Sequence, residues 1–223
     1  MPALFWDTDA LLTACALNFV DDIAAILDCA GSAAYRLPAA PKQIRQSRTF
    51  KRSFDTSRLE ADALNDYRAA LADRARQLTQ LTPDFVDTPT ELEQAGLSAE
   101  IDQGELLLLQ ATASTSEGRI LTSDKRALRG LSRADHPALI QLRERLQGRV
   151  VYLPHLLPLL AQHLGGLAAL DSRWRQSHLR QRTLTVIFGS PAPVSPEAFV
   201  EALAAERRDL ADRCDPQLFY RSP

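Results

Sequence analysis

Short apolar runs alternate with longer helical stretches along the first two thirds of the chain. The run ALFW at residues 3–6 ends at Asp7, and apolar positions then recur with helical spacing through residues 11–16. This pattern predicts a strand that leads into a helix. A second helical stretch, FVDDIAAILDCAG, follows and is expected to end at Gly31.

The middle of the chain predicts a short strand and two more helices. YRLPAAP at residues 35–41 holds a strand that proline ends, whereas residues 42–54 are basic and lack a helical period. Apolar positions near the 3.6-residue period predict a long helix over about residues 58–80. After a loop that contains two Thr-Pro pairs, SAEIDQGELLLLQATASTSEG predicts a buried helix that ends at Gly118.

A strand (RILT), two helices (SDKRALRGL and HPALIQLRERLQG) and a final strand (RVVYLP) complete this pattern. Strands that alternate with helices are typical of a parallel sheet covered on both faces. We therefore predict a three-layer α/β/α domain with a mostly parallel sheet over residues 1–164. Residues 165–223 are expected to form a largely helical C-terminal extension, in which Ser195 and Pro196 begin the last helix.

Composition and charge argue against a secreted or membrane-spanning protein and against polyanion binding driven by net charge. The 223 residues are 45% hydrophobic and 24% charged, which is typical of a globular protein. The 26 basic and 28 acidic residues nearly cancel, so any binding of a polyanion must come from a local patch. The N-terminus has no basic leader, and acids interrupt its apolar stretches, which argues against a signal peptide or a membrane span.

Cysteine and histidine usage predicts reduced thiols and no structural zinc. The three cysteines are an odd number at wide spacing, and the four histidines show no zinc-finger or HExxH spacing. A cytoplasmic protein without a membrane partner is the expected class.

Three acids stand where an α/β sheet gathers its ligands. Asp7 ends the first strand, Asp124 follows RILT, and Glu105 lies in the first turn of the helix that contains the run LLLL. Carboxylates brought close together repel unless a cation neutralises them, and hard oxygen ligands suit Mg²⁺ or Mn²⁺. The acids are therefore candidate metal ligands.

Each acid except Asp7 also has a purely structural explanation. Asp102 and Glu105 have the spacing of a capping box, which would cap the LLLL helix. Asp9 could cap the first helix, and Asp124 the helix that follows RILT. Asp7 caps nothing obvious, since it follows a short buried strand.

The three motifs that contain these acids resemble the PIN-domain nucleases. That family opens with a strand ending in D-T-[NSD]-x-L-L, which residues 7–12 match as DTDALL. Many members carry a G-E dipeptide at the start of an apolar helix, matched by residues 104–107, and a T-x-D segment after a strand, matched by residues 122–124. VVYLPHLLPLLAQ is similar to the strand and helix with which the family ends. The resemblance covers roughly residues 3–164.

The resemblance implies an endoribonuclease that cleaves single-stranded RNA with bound Mg²⁺ or Mn²⁺. It implies catalytic, metal-binding roles for Asp7, Glu105 and Asp124, with Asp9 and Asp102 as further candidate ligands. Thr8 or Thr122 would orient a carboxylate or a water. A toxin of a toxin–antitoxin pair is one form of this activity, with an antitoxin or a second copy of the chain as partner.

One departure from the family pattern motivates a second hypothesis. The family usually places another acid on the helix after the second strand, where this chain has Gln43 and Gln46. A catalytically degenerate PIN-like scaffold that binds RNA or a protein partner is therefore the alternative. A nucleotide-binding domain is disfavoured because the chain has no GxGxxG or Walker loop, and it has no GxSxG elbow for nucleophilic catalysis.

A basic run is the candidate RNA contact. It includes Phe50 and Phe54, which suit base stacking, and an ordinary solvated loop is its other explanation. The candidate phosphate contacts are Lys42, Arg45, Arg48, Lys51 and Arg52, with Arg58 beyond them. A second basic stretch, DSRWRQSHLRQR, is a weaker RNA candidate that would equally suit a subunit interface.

Overall fold

The computed structural model describes residues 2–29, 33–55, 60–82, 85–86, 88–189 and 192–220, except for the side chain of Thr49. Within these ranges the chain is an α/β fold built on one five-stranded sheet, and every strand pair in it is parallel. The strands lie in the order β3-β2-β1-β4-β5, and they are β1 (Ala3–Trp6), β2 (Ala33–Arg36), β3 (Thr79–Gln80), β4 (Gly118–Thr122) and β5 (Val150–Tyr152).

Helices precede or follow each strand and continue to the C-terminus. They are α1 (Thr8–Leu17), α2 (Val20–Ile26), α3 (Ala40–Gln46), α4 (Arg48–Lys51), α5 (Ala61–Arg76), α6 (Thr90–Ser98), α7 (Gln103–Ser114), α8 (Lys125–Arg133), α9 (Pro137–Arg145), α10 (Leu153–His163), α11 (Leu167–Gln176), α12 (Arg182–Phe188) and α13 (Pro196–Ala211).

The central strand β1 shows why the fold has three layers. Successive side chains of a strand point to opposite faces of the sheet, and all four residues of β1 are buried. Leu4 and Trp6 join a hydrophobic cluster with α1, α2, α5 and α10, whereas Ala3 and Phe5 join a second cluster with α6, α7 and α9. The predicted three-layer α/β/α fold with a parallel sheet is therefore confirmed.

Several predicted boundaries differ from the structure. Helix α2 ends at Ile26, before Gly31, which lies outside the described residues. Asp28 adopts the left-handed conformation instead, with a φ of 53°. The expected helix over residues 58–80 ends at Arg76, because Thr79 and Gln80 pair with β2 as strand β3.

Two further predictions in this region were wrong. The helix that was expected to end at Gly118 is shorter than predicted, since it begins at Gln103, after a turn in which Glu100 takes a φ of 61°, and ends at Ser114. Gly118 begins β4 rather than capping a helix. The basic run forms α3 and α4 rather than a loop, because buried Ile44 and Ala40 anchor α3 to the core.

The C-terminal extension packs against the body of the protein. Ser195 caps α13 as predicted, with its hydroxyl oxygen accepting from the backbone N–H of Ala198 at 3.2 Å. Trp174, Phe188 and Phe199 form a chain of ring contacts in the same hydrophobic cluster as β1. The last described residues lie beside β5, where the Tyr220 N–H donates to the carbonyl of Val150 at 2.8 Å.

No single helix in the described ranges is both long enough and apolar enough to cross a membrane. The helices α10 and α11 have the required length and composition only when taken together, and the chain bends by 119° between them.

Gly130 offers a test of how α8 packs. A Cβ at this position would lie 2.0 Å from the carbonyl oxygen of Ala99, which is far inside contact distance. Alanine normally stabilises a helix interior by about 1 kcal/mol relative to glycine, but here we expect Gly130→Ala to lower the free energy of unfolding by about 1–3 kcal/mol in urea denaturation. The control is Gly96→Ala in α6, where the nearest atom belongs to the movable side chain of Leu106. Equal effects of the two substitutions would contradict this packing.

Candidate active site

The candidate site lies at the point where the sheet reverses its strand order. From β1 the chain proceeds outwards through β2 to β3 on one side, and β4 and β5 lie on the other side. Ligand sites of open α/β sheets form at this switch point, beyond the carboxyl ends of the two strands. Trp6 pairs with Leu121, and the Asp7 N–H donates to the Leu121 carbonyl at 3.0 Å. The residues that follow β1 and β4 are therefore adjacent.

Asp7 is a buried acid held by a single side-chain hydrogen bond. Thr122 Oγ1 donates to Asp7 Oδ2 at 3.2 Å, and no side-chain cap bond joins Asp7 to α1. Burial, reinforced by the charges of Asp9 and Asp124, raises the pKa of Asp7 to about 7. Such an environment disfavours the bare carboxylate and would favour it strongly if a cation lay nearby.

Thr122 connects Asp7 to Asp124. Its hydroxyl oxygen also accepts the Asp124 N–H at 3.0 Å, so one side chain positions both acids. Asp124 Oδ1 caps α8 by accepting from the N–H groups of Arg126 at 2.7 Å and Ala127 at 3.1 Å. Burial acts to raise the pKa of Asp124, but hydrogen bonds from Glu105 and from these N–H groups lower it overall.

Glu105 reaches the same edge from α7. Helix α7 precedes β4 and runs back along the sheet, which places its first turn at the carboxyl ends of the strands. Asp102 and Glu105 form a reciprocal capping box, with both backbone-to-carboxylate distances at 2.8 Å. Burial and the hydrogen bond to Asp124 raise the pKa of Glu105. The predicted capping box is therefore present, and Glu105 also lines the cleft that contains Asp7 and Asp124.

Arg126 was not predicted from the sequence, yet it contacts three of the candidate acids. Its Nη2 lies 2.8 Å from Glu105 Oε1, 3.4 Å from Asp124 Oδ2 and 3.8 Å from Asp102 Oδ2. The only sequence signal for it was its position two residues after Asp124, at the start of a helix. Basic residues at that place are common on helix surfaces, so the pattern carried little information.

These side chains line one cleft of about 1250 Å³. Asp7, Asp9, Glu105 and Asp124 form its acidic part. The same cleft is also lined by apolar side chains, among them Leu37, Phe50 and Val86. A cleft lined by carboxylates and by an aromatic ring suits a ligand that carries both charge and flat rings.

The predicted metal ligands line this cleft, but they are not arranged around a single ion position. Oxygen donors of this kind fit Mg²⁺ or Mn²⁺ by their chemistry. Across the described ranges, however, no three Asp, Glu, His or Cys side chains lie close enough to share one ion. Asp9 does not cap α1 as predicted, because Asp7 occupies the cap position and Asp9 is already the second residue of the helix, where it is exposed. Thr8 is buried beside Asp7.

The candidate RNA-contact residues lie next to the cleft, on α3, on α4 and directly after α4. Lys42, Arg45, Arg48, Lys51 and Arg52 are all exposed, and none forms an ion pair with a described residue. Gln43, which stands near the expected position of the fourth acid, and Ser47 line the cleft. Gln46 is exposed, and Arg58 lies outside the described residues. Arg45 lies two residues after Gln43, about 200° around the helix, and so points elsewhere.

Two other proposed contacts are used within the protein instead. Phe54 is buried and packs edge-on against Tyr67 at 5.8 Å, so it is not available to stack on a base. The second basic stretch also pairs internally, since Arg173 binds Asp22 at 2.7 Å and Arg180 binds Asp55 at 2.9 Å.

Lys125 ties the candidate site to the C-terminal extension. Its Nζ lies 2.8 Å from Glu206 and 2.7 Å from Asp209, both on α13. Glu206 also accepts the hydroxyl of Tyr152, at the end of β5. Because Lys125 follows Asp124 directly, the extension fixes the start of α8.

Comparisons with known proteins gave no match. No protein-family model matches the chain, and neither a curated protein nor a solved structure matches it.

The raised pKa of Asp7 predicts a pH-dependent loss of stability. The folded protein retains the Asp7 proton up to about pH 7, whereas the unfolded chain releases it near the ordinary pKa of an aspartate, 3.8. The stability that this proton contributes is therefore fully present below pH 3.8, falls as the pH rises towards 7, and is lost above pH 7. In EDTA, we expect the free energy of unfolding to fall by about 2–3 kcal/mol when the pH is raised from 5 to 8, because Asp7 loses its proton.

Urea unfolding of the variant Asp7→Asn checks this, because asparagine does not titrate. Its advantage over the wild type should increase from pH 5 to pH 8. The exposed acid Asp66 on α5 supplies the control, Asp66→Asn. A wild type and Asp7→Asn with parallel pH profiles would show that Asp7 is not held in a proton-favouring environment.

Proposed function

We propose that the protein is a divalent-metal-dependent endoribonuclease of the PIN type that cleaves single-stranded RNA. The observation that supports this most directly is the buried Asp7 at the switch point, with Asp124 and Glu105 in the same cleft. Burying a carboxylate costs stability, and within the part of the chain that the structure describes Asp7 neither caps a helix with its side chain nor pairs with a cation. Clustered like charges with perturbed pKa values are typical of functional sites.

The chain's own residues would divide the work of phosphodiester hydrolysis. A bound Mg²⁺ or Mn²⁺ would polarise the scissile phosphate and lower the pKa of the attacking water. Asp7, Glu105 and Asp124 would supply the carboxylate ligands, with Asp9 and Asp102 as additional candidates. Thr122 holds Asp7 and Asp124 in a fixed relation through its two hydrogen bonds, which keeps the ligands oriented.

Single-stranded RNA would be bound between the acidic part of the cleft and the exposed cations of α3 and α4. Phe50 lines the cleft and offers a ring for base stacking. The exposed charges of Lys42, Arg48 and Lys51, which form no ion pair with any described residue, would bind the phosphates that continue beyond the cleft.

We also propose a location and a biological role for this nuclease. Cys15, Cys29 and Cys214 are free and buried, which suits a reducing compartment such as the cytoplasm. A toxin of a toxin–antitoxin pair, with an antitoxin or a second copy as partner, is the biological form that we propose.

A catalytically degenerate PIN-like scaffold is the competing candidate. Two observations favour it, namely the exposed Gln43 near the position expected for a fourth acid and the neutralisation of Glu105 and Asp124 by Arg126. Such a protein would bind RNA or a protein partner in the same cleft without cleaving anything.

Cleavage of a fluorescent single-stranded RNA in Mn²⁺ separates the two candidates. We expect cleavage by the wild type and a loss of at least about 100-fold in Asp7→Asn, because a ligand of the cation is removed. Asp66→Asn should retain full activity. Absence of cleavage in Mn²⁺ and Mg²⁺, or equal rates in Asp7→Asn and wild type, would eliminate the nuclease and leave the scaffold.

RNA affinity tests the basic surface separately from catalysis. The double variant Arg48→Ala, Lys51→Ala removes two exposed cations beside the cleft. We expect weaker binding of single-stranded RNA in fluorescence anisotropy with EDTA, and a salt dependence of log K that is shallower by about 1.4. The matched control is Arg145→Ala, Arg208→Ala, which removes two exposed cations from α9 and α13. A salt dependence that changes equally in both doubles would exclude α4 as the RNA contact.

A further inference from the structure

Arg126 lies at the start of a helix, where a positive side chain is unfavourable. It is the second residue of α8, where the partial positive charge of a helix N-terminus repels a cation. Its side chain is about half exposed, so a fully solvated position was open to it. The guanidinium points instead towards the cleft and contacts Glu105, Asp124 and Asp102.

The contacts of Arg126 are not needed to complete the helix. Asp124 Oδ1 already caps α8 through the backbone N–H groups of Arg126 and Ala127, and Glu105 already completes the capping box of α7. What the guanidinium adds is positive charge next to Glu105 and Asp124. A divalent cation in the cleft would supply the same thing to the same oxygens.

We propose that Arg126 is an internal counter-cation that competes with the divalent metal ion for Glu105 and Asp124. The inference rests on the proposed function, since it assumes that a cation enters the cleft. Metal binding then requires the guanidinium to leave the two carboxylates, and the affinity for metal is set partly by the strength of these ion pairs.

The structure offers a place for the displaced side chain. Arg126 lines both the acidic cleft and a second depression of about 680 Å³. Glu91, Glu100 and Asp135 line that depression and provide carboxylates for a guanidinium. Rotation of the Arg126 side chain towards this depression is the displacement that the proposal requires.

Manganese titration calorimetry of the full chain tests the competition. At pH 8 we expect Arg126→Gln to bind Mn²⁺ about tenfold more tightly than the wild type, because a competing charge is removed. Arg126→Lys retains the charge and should bind Mn²⁺ with nearly wild-type affinity. The control Arg129→Gln removes a cation one helical turn away, on the second depression, and should leave the affinity unchanged.

The outcomes separate this inference from the proposed function. If Mn²⁺ binds wild type and Arg126→Gln equally, or binds the variant more weakly, the competition is wrong while the nuclease can stand. If Arg126→Gln binds Mn²⁺ more tightly but no variant cleaves RNA, the competition holds and the nuclease fails. If none of the variants binds Mn²⁺, both are wrong. Thermal melts of Arg126→Gln and Arg126→Lys establish that each variant is folded before titration.

Discussion

The parallel pairing of β1 with β4 is the constraint on which the rest of the structure depends. Its register sets Trp6 opposite Leu121, and the next residues of both strands leave the sheet together at the switch point. Asp7 and Asp124 therefore meet without any long-range loop to bring them there. A shift of one residue in this register would turn alternate side chains to the other face and separate the two acids.

The electrostatics of the cleft follow from that geometry. Asp7 is buried beside two other acids, so its folded state favours the proton, while Glu105 and Asp124 share the charge of Arg126. The surrounding hydrophobic clusters hold this unfavourable arrangement in place. Sites that lower stability in this way are typical of functional centres, where a ligand supplies the missing charge.

The sequence predicted the parts of the fold that depend on local pattern. The buried run that forms β1 and the capping box at Asp102 follow from apolar spacing and cap chemistry, and the structure contains both. The strand β3 is only two residues long, so it had no periodicity to detect. Helix α3 was not predicted because its many basic residues left little apolar periodicity to detect. Arg126 was not predicted because its partner Glu105 lies on another helix, far away in the sequence.

A crystal structure of the chain soaked in Mn²⁺, measured with anomalous scattering, tests the central claim most directly. The account predicts an anomalous peak in the cleft that is contacted by Asp7, Glu105 and Asp124, with the Arg126 guanidinium turned away from the two latter acids. An occupied peak elsewhere, or no peak while Arg126 still bridges Glu105 and Asp124 at saturating Mn²⁺, would contradict it.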